Sequence, residues 1–290
     1  MEDDREPIAL AIDIGGTFTD LAAVDRRGGS LILAKVATTP SRLQRGVLSA
    51  LERSELIPGD VSAFVHGSTV VINAVTERRG ARTALLTTEG FRDVLEIGRA
   101  NRPDLYNLSY RKPEPFVPRR LRFEVRERIS HTGAVLEPLD EAGLGSIAER
   151  LRPLDVEAVA ICFLHAWTNP EHERRASELL AKLLPDAEIV ASYEISSQWR
   201  EFERTSTTVL SAYVKPTVAT YLGELRSELR EAGVRAPLYA MRSSGGVSSF
   251  ERAAEAPITL LESGPVAGVT AAAELGRRLG IRDVLSLDIG

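Results

Sequence analysis

The residues whose types and spacing offer the most chemistry are Asp13-Ile14-Gly15-Gly16-Thr17-Phe18-Thr19-Asp20. Two adjacent glycines let a chain bend tightly and bring its N–H groups against an anion with no Cβ in the way. Thr17 and Thr19 add hydroxyl donors. Asp13 can hold a hydrated Mg²⁺ or orient a water, since Mg²⁺ keeps several waters and takes only one or two carboxylates. Such a loop suits a nucleotide's phosphate tail; the plain alternative is a hairpin with an Asp-Gly turn. No Gly-Lys-Ser/Thr occurs in the chain. A strand pattern, not a helix, follows the loop, so neither the P-loop nor the dinucleotide fingerprint applies.

The tetrapeptide Ile12-Asp13-Ile14-Gly15 returns as Leu287-Asp288-Ile289-Gly290. Each copy is an apolar strand closing on Asp, one apolar residue and Gly. Two distant copies suggest two related lobes presenting the same loop to a ligand between them. Asp288 and Gly290 then mirror Asp13 and Gly15, and the copy that stops after one glycine reads as a truncated second loop. Just upstream, Glu262-Ser263-Gly264-Pro265-Val266-Ala267-Gly268 opens a helix of small residues. Such a helix suits a hinge where two backbones cross closely, the alternative being an ordinary buried helix. Glu262 is a third candidate for the waters of Mg²⁺, against the default of a solvated carboxylate.

Further candidates lie between these loops. His66 falls between a strand and a helix, where a cleft residue or a structural histidine would sit, and Asn73 lies one turn into that helix. Arg99, Asn101, Arg102 and Asp104 occupy a loop able to hold a polar, imide-like substrate, although solvated loop charges are the default. His165 and His172 match no metal spacing and read as structural or surface residues, and His131 carries no signal. Cys162, the single cysteine, sits in an apolar run and reads as core.

These residues need a scaffold, and the patterning supplies an α/β one. Alternation at Ile8–Ile14, Thr19–Val24 and Leu31–Ala37 predicts a three-stranded meander. Ser41 and Gln44 have capping-box spacing for a helix with Leu43, Val47, Leu48 and Leu51 inward. A strand at 63–65 precedes a helix over 69–79 that Gly80 can end in the left-handed conformation. A strand at 84–86 follows, with Thr88 capping a short helix. Four prolines make 101–120 an ordered loop, ahead of a strand pair near 121–129 and 135–136. Asp140 caps a helix, 158–164 is a strand, and Asn169-Pro170 opens the next helix. A long helix over 205–232 carries Pro216, which predicts a kink. A strand at 238–241, a helix over 267–279 and a strand at 284–287 complete the chain.

Composition narrows the class. The chain has 290 residues, 43% hydrophobic and 27% charged, with a net charge of −5. That balance offers no basic field to nucleic acid. No apolar stretch is long enough to cross a bilayer and the acidic start lacks a signal-peptide core, so a cytoplasmic enzyme is expected.

The loop at 13–20, the small-residue helix and the returning Asp288-Ile289-Gly290 together resemble the actin, sugar kinase and heat-shock ATPase superfamily. More narrowly, several blocks resemble the hydantoinase A and 5-oxoprolinase family: 66–74, 77–81, 90–99, 101–106, 169–173, Glu203-Arg204-Thr205-Ser206-Thr207-Thr208 and Ser263-Gly264-Pro265. The resemblance implies an actin-like (ribonuclease H-like) lobe with a mixed sheet and an inserted α/β subdomain, and the first strand of a second lobe at the C-terminus. In these terms 1–100 opens the first lobe, 101–200 is the insert, 201–282 completes the lobe and 283–290 begins the second. It implies ATP and Mg²⁺ as cofactors and the ATP-dependent opening of a five-membered cyclic amide such as hydantoin or 5-oxoproline through a phosphorylated intermediate. The ring is unstrained, so its opening needs driving. A ketone substrate, as in acetone and acetophenone carboxylases, a chaperone-like ATPase and a free-standing binding lobe remain open. A second large subunit of hydantoinase B type is the implied partner. Since relatives continue past the second phosphate motif into the adenosine site, the chain by itself is expected neither to bind ATP tightly nor to turn over.

Overall fold

The computed structural model describes residues 8–25, 29–99, 101, 104 and 106–287. The candidates Arg102, Asp288 and Gly290 lie outside the described residues. The chain forms two compact units, one of residues 1–77 with 218–290 and one of residues 78–217.

In the first unit β1 (Ile8–Ile14), β2 (Phe18–Asp25) and β3 (Ser30–Ala37) make the expected antiparallel meander. The inward set Ile8, Leu10, Ile12, Ile14, Thr19, Leu21 and Ala23 is buried, the period-2 signature of a half-covered sheet. Helix α1 (Leu43–Arg53) packs on this meander. Its N-terminus is not the predicted capping box. Arg42 precedes the helix without a side-chain cap, and Gln44 is buried, donating to Glu224 at 2.6 Å. Strand β4 (Val61–Ser68) joins β1 in parallel, and the short α2 (Val70–Thr76) follows it. The helix ends earlier than its pattern suggests. Arg78, not Gly80, takes the left-handed conformation (φ 53°). Gly80 is required for closeness, since a Cβ there would lie 2.3 Å from the Tyr213 ring.

The second unit opens with β5 (Thr83–Thr88), followed by α3 (Val94–Ile97), β6 (Arg122–Val125) and the small ladder of β7 (Arg128–Ile129) with β8 (Val135–Glu137). Helix α4 (Glu141–Leu151) is capped as predicted, Asp140 accepting from the Gly143 N–H at 2.9 Å. Strand β9 (Ala158–Cys162), α5 (Glu171–Leu183), β10 (Glu188–Ala191) and α6 (Ser192–Ile195) complete its parallel sheet of order β10-β9-β5-β6. Both central strands are buried along their whole length, as in a sheet covered on both faces. Cys162 is core, and burial pushes its thiol up to about 11. Helix α7 (Glu201–Glu231) begins four residues before its apolar pattern and contains Pro216. Its second half belongs to the first unit.

There β11 (Leu238–Met241) pairs in parallel with β4, and β12 (Val247–Ser249) folds back on it. After α8 (Phe250–Glu255) comes α9 (Ser263–Leu279), one turn longer at its start than the sequence suggests. The sheet order β12-β11-β4-β1-β2-β3, with only β2 and β12 reversed, is that of a ribonuclease H-like lobe with one added hairpin strand. The predicted strand at 284–287 is absent. Residues 283–287 join no sheet among the described residues, and Leu285 and Leu287 are 92% and 79% exposed.

Two buried polar ties hold the second unit. Thr88 and His172 both bond Glu127, so Thr88 does not cap the helix after it. Glu173 accepts from the Phe163 N–H, the Ser192 hydroxyl and the Tyr193 N–H, with Arg204 at 3.6 Å. Arg204 donates to Ser192 and to the Phe163 carbonyl. Removing one partner strands the other in the dark interior. Glu173→Ala is expected to lower unfolding stability by about 3–5 kcal/mol in urea titration. A loss below about 1 kcal/mol would show that the tie is not structural.

Candidate functional site

Strands β1, β4 and β11 run in parallel, so their carboxyl ends share one edge of the sheet, where open α/β sheets bind ligands. That edge gathers the bend at 15–17 after β1, Ser68-Thr69 after β4 and Ser243-Ser244-Gly245-Gly246 after β11. Gly15 donates its N–H to the Phe18 carbonyl at 2.9 Å, which closes the bend. Thr38 braces it from the side, its hydroxyl reaching the Gly15 carbonyl at 2.9 Å and its N–H the Thr17 carbonyl. The N–H groups of Gly16 and Thr17 have no backbone acceptor among the described residues. A Cβ on Gly16 would meet nothing within 4 Å, so the space outside the bend is open.

Asp13 is exposed on the sheet face opposite α1, against Gly67 of β4. A Cβ on Gly67 would come within 2.4 Å of Asp13 Oδ1, so glycine there is what lets the carboxylate lie flat across the neighbouring strand. Its cross-strand partner Asp20 is matched by Lys35 at 2.9 Å. Thr19 is corrected by the structure. One residue further along an alternating strand, it faces inward and is wholly buried, its hydroxyl bonded to Thr38 at 3.1 Å and pressed by Gly46 of α1. It supports the bend from beneath and offers nothing to a ligand.

His66 is buried, and of a cleft residue and a structural histidine this burial favours the second. Its Nδ1 lies 3.1 Å from the Ile12 carbonyl, an oxygen that can only accept, so Nδ1 carries the proton. Nε2 is then the acceptor, and the Tyr221 hydroxyl of α7 donates to it at 2.7 Å. The Ser68 hydroxyl accepts from the Val70 N–H at 3.1 Å. Burial lowers the His66 pKa to about 4. Burial first, then the Asp13 carboxylate, push the Tyr221 phenol far above its usual range.

Of the other candidates, Asn73 is exposed on α2 and bonds Thr69, and Glu262 is exposed immediately before α9. The Glu262 N–H is held by the Ser243 hydroxyl at 3.0 Å, which ties the β11 turn to the start of α9. That turn, with Gly245 and Gly246 both left-handed (φ 82° and 72°), adds a third loop to the edge. Its Ser-Ser-Gly-Gly run after a strand was the available signal. Arg99, Asn101 and Asp104 belong to the other unit, where Arg99 pairs with Glu203.

The donor set fits a phosphate tail: an exposed carboxylate, two N–H groups with no backbone acceptor among the described residues and a hydroxyl on Thr17. It fits Mg²⁺ only as one protein carboxylate completed by waters and phosphate oxygens. Among the described residues no cluster of three His, Cys, Asp or Glu could hold a metal alone.

The relay through His66 has a measurable pH signature. An unfolded imidazole titrates near 6.5 and the folded one near 4, so its stabilisation is complete above about 6.5 and lost as pH falls toward 4. Urea unfolding is expected to show about 3 kcal/mol of pH dependence in that window that His66→Gln lacks. Matching pH dependences in the two proteins would overturn the assignment.

Comparison with known proteins agrees with this architecture. Residues 9–184 match the Hydantoinase/oxoprolinase N-terminal region, and residues 204–290 match Hydantoinase/oxoprolinase. Caprolactamase subunit alpha of Pseudomonas jessenii is 32% identical over 99% of this chain and 42% of its own length. Acetophenone carboxylase gamma subunit of Aromatoleum aromaticum is 32% identical over 97% of this chain and 41% of its own. The crystal structure of the ATP-dependent caprolactamase from Pseudomonas jessenii is 33% identical and superposes with a TM-score of 0.85, covering 97% of this chain and 42% of that one. Nucleotide-free acetone carboxylase, at 27% identity, gives 0.84 over 94% and 41%. The chain thus spans about two fifths of the length of these relatives. With one family region matched over more than half of its residues and a second over most of the remainder, it belongs to the Hydantoinase/oxoprolinase family.

Proposed function

We propose that the chain is the phosphate-holding part of an ATP-dependent hydrolase that opens a five-membered cyclic amide, hydantoin or 5-oxoproline, through a phosphorylated intermediate. The observation that carries this reading is the exposed Asp13 at the end of β1, immediately before a braced glycine bend whose Gly16 and Thr17 N–H groups have no backbone acceptor among the described residues. In this reading Gly15, Gly16 and Thr17 form the phosphate cradle. Asp13 holds Mg²⁺, with Asp288, Gly290 and Glu262 completing the site from the second loop and the α9 start. ATP supplies the driving force that an unstrained amide ring needs. The family supports it, and so do relatives whose names describe a lactam-opening enzyme. Those relatives are named as subunits, which supports a second, hydantoinase B type subunit as partner.

A second reading is favoured by the likeness to acetophenone carboxylase gamma subunit and acetone carboxylase beta subunit: the ATP-using subunit of a ketone carboxylase. The experiment is phosphate release by the protein at its relatives' full length, with partner subunit, given hydantoin or 5-oxoproline, or acetone or acetophenone with bicarbonate. Stimulation by an amide supports the first reading and stimulation by a ketone the second; indifference to all of them would leave a non-metabolic actin-like ATPase. Asp13→Asn is expected to cut turnover by about 100-fold. Gly16→Ala, where the added Cβ meets nothing within 4 Å, should leave folding unchanged, and the bulkier Gly16→Val should weaken ATP binding at least about tenfold. Unaltered ATP affinity in Gly16→Val would refute the cradle.

A further inference from the structure

The carboxyl edge of the other sheet carries its own cavity. In the second unit the connection from β5 leaves toward β6 while that from β9 leaves toward β10, so the switch in direction falls between β5 and β9. Ligand crevices of open parallel sheets lie outside such a point. Here a cavity of about 520 Å³ opens among Phe91, Trp199, Phe202, Arg99, Arg200 and Glu201, a volume suited to one small molecule. Beneath it a void of about 10 Å³, room for one water, shares Phe91, Val94 and Glu201 with the larger cavity and is also lined by Arg204. Arg204 is 2% exposed, and its Nε has no hydrogen-bond partner.

Two features of the rim are costly without a ligand. Trp199 is 66% exposed, and Arg200 is held at φ 89°, a conformation that non-glycine residues seldom adopt, with its guanidinium 4.9 Å from the centre of the Trp199 ring. The charges then sort by partner. Asp93 is held by Arg119 and Arg99 by Glu203, while Arg200 and Glu201 have no ion pair among the described residues. One donor cation and one acceptor anion are thus left beside aromatic walls. An uncharged planar ring with a carbonyl next to an N–H answers both, the guanidinium donating to the carbonyl and the carboxylate accepting from the N–H.

We infer that this cavity binds a small cyclic amide, with Arg200 and Glu201 as its polar contacts. The inference rests on the reading that the enzyme acts on a small molecule, and it selects amide over ketone, which has no N–H for Glu201.

The test uses the 290-residue chain carrying Trp167→Phe, so that Trp199 is the one remaining tryptophan. Hydantoin is titrated against Trp199 fluorescence, with cyclopentanone and N-methylpyrrolidinone as ring controls that lack the N–H. Saturation-transfer NMR on the unsubstituted chain gives a second reading that does not depend on the tryptophan replacement. Saturable binding of hydantoin is expected, with both controls and Glu201→Met at least about tenfold weaker. Equal binding of hydantoin and the controls, no binding by either method, or full affinity in both Glu201→Met and Arg200→Met would overturn the assignment. Asp13→Asn should leave the titration unchanged, and loss of binding there would also overturn it. ATP affinity, read separately, tests the phosphate cradle, so failure of one assignment is distinguishable from failure of the other.

Discussion

The first unit depends on one buried proton order. The Ile12 carbonyl can only accept, and that single fact sets the His66 tautomer and makes the Tyr221 hydroxyl a donor. The chain of bonds joins β1, β4 and α7 just below Asp13. It fixes the parallel register in which Asp13 sits opposite Gly67 and Ile14 opposite Ser68. A slip of one residue would turn Asp13 inward and Ile12 outward, because side chains alternate along a strand. The exposed carboxylate and the glycine bend therefore rest on a buried, neutral imidazole.

The same alternation explains what could and could not be read from the residues. Ile8 to Ala37 was legible as a meander because inward and outward positions differ in polarity. The Asp-x-Gly-Gly bend was legible because few residues tolerate such a turn. Thr19 was misjudged because a hydroxyl in a loop-like stretch looks like a donor, and only the register shows that it falls on the inward phase, under Gly46. For His66 the residues leave a cleft role and a structural role both open, and the tyrosine that meets its ring lies 155 residues away, a long-range partner that leaves no local trace. Ser41 and Gln44 had capping spacing, but Gln44 found a better partner in Glu224. The strand expected at 284–287 had the right pattern, yet pattern does not supply a neighbour, and a strand needs one.

Several blocks that carried the family resemblance proved to be scaffold. His172 and Glu173 are adjacent in sequence and bury their side chains into different ties, one to Glu127 and one to Ser192 and Arg204. Charged side chains without solvent are tolerated only when satisfied, and each carboxylate here receives at least two donors. The ties gather loops at the carboxyl edge of their own sheet: Thr88 after β5, Glu127 after β6, Phe163 after β9 and Ser192 after β10. An edge held this rigidly by buried charge can support an exposed tryptophan and a strained arginine above it.

The two edges also differ in how they would recognise a ligand. At the bend after β1 the groups offered are backbone N–H, which look the same whatever side chains evolve around them. That suits a part common to every reaction, and relatives named for caprolactam, acetone and acetophenone superpose or align along nearly the whole of this chain. Selectivity among lactam, hydantoin and ketone cannot arise from backbone N–H groups alone. It requires side chains whose donor and acceptor pattern differs from one relative to the next, because a site built to bond an N–H rejects a ring that lacks it far more strongly than an apolar wall can. Under the binding inferred above, Arg200 and Glu201 would supply one donor and one acceptor side chain of that kind.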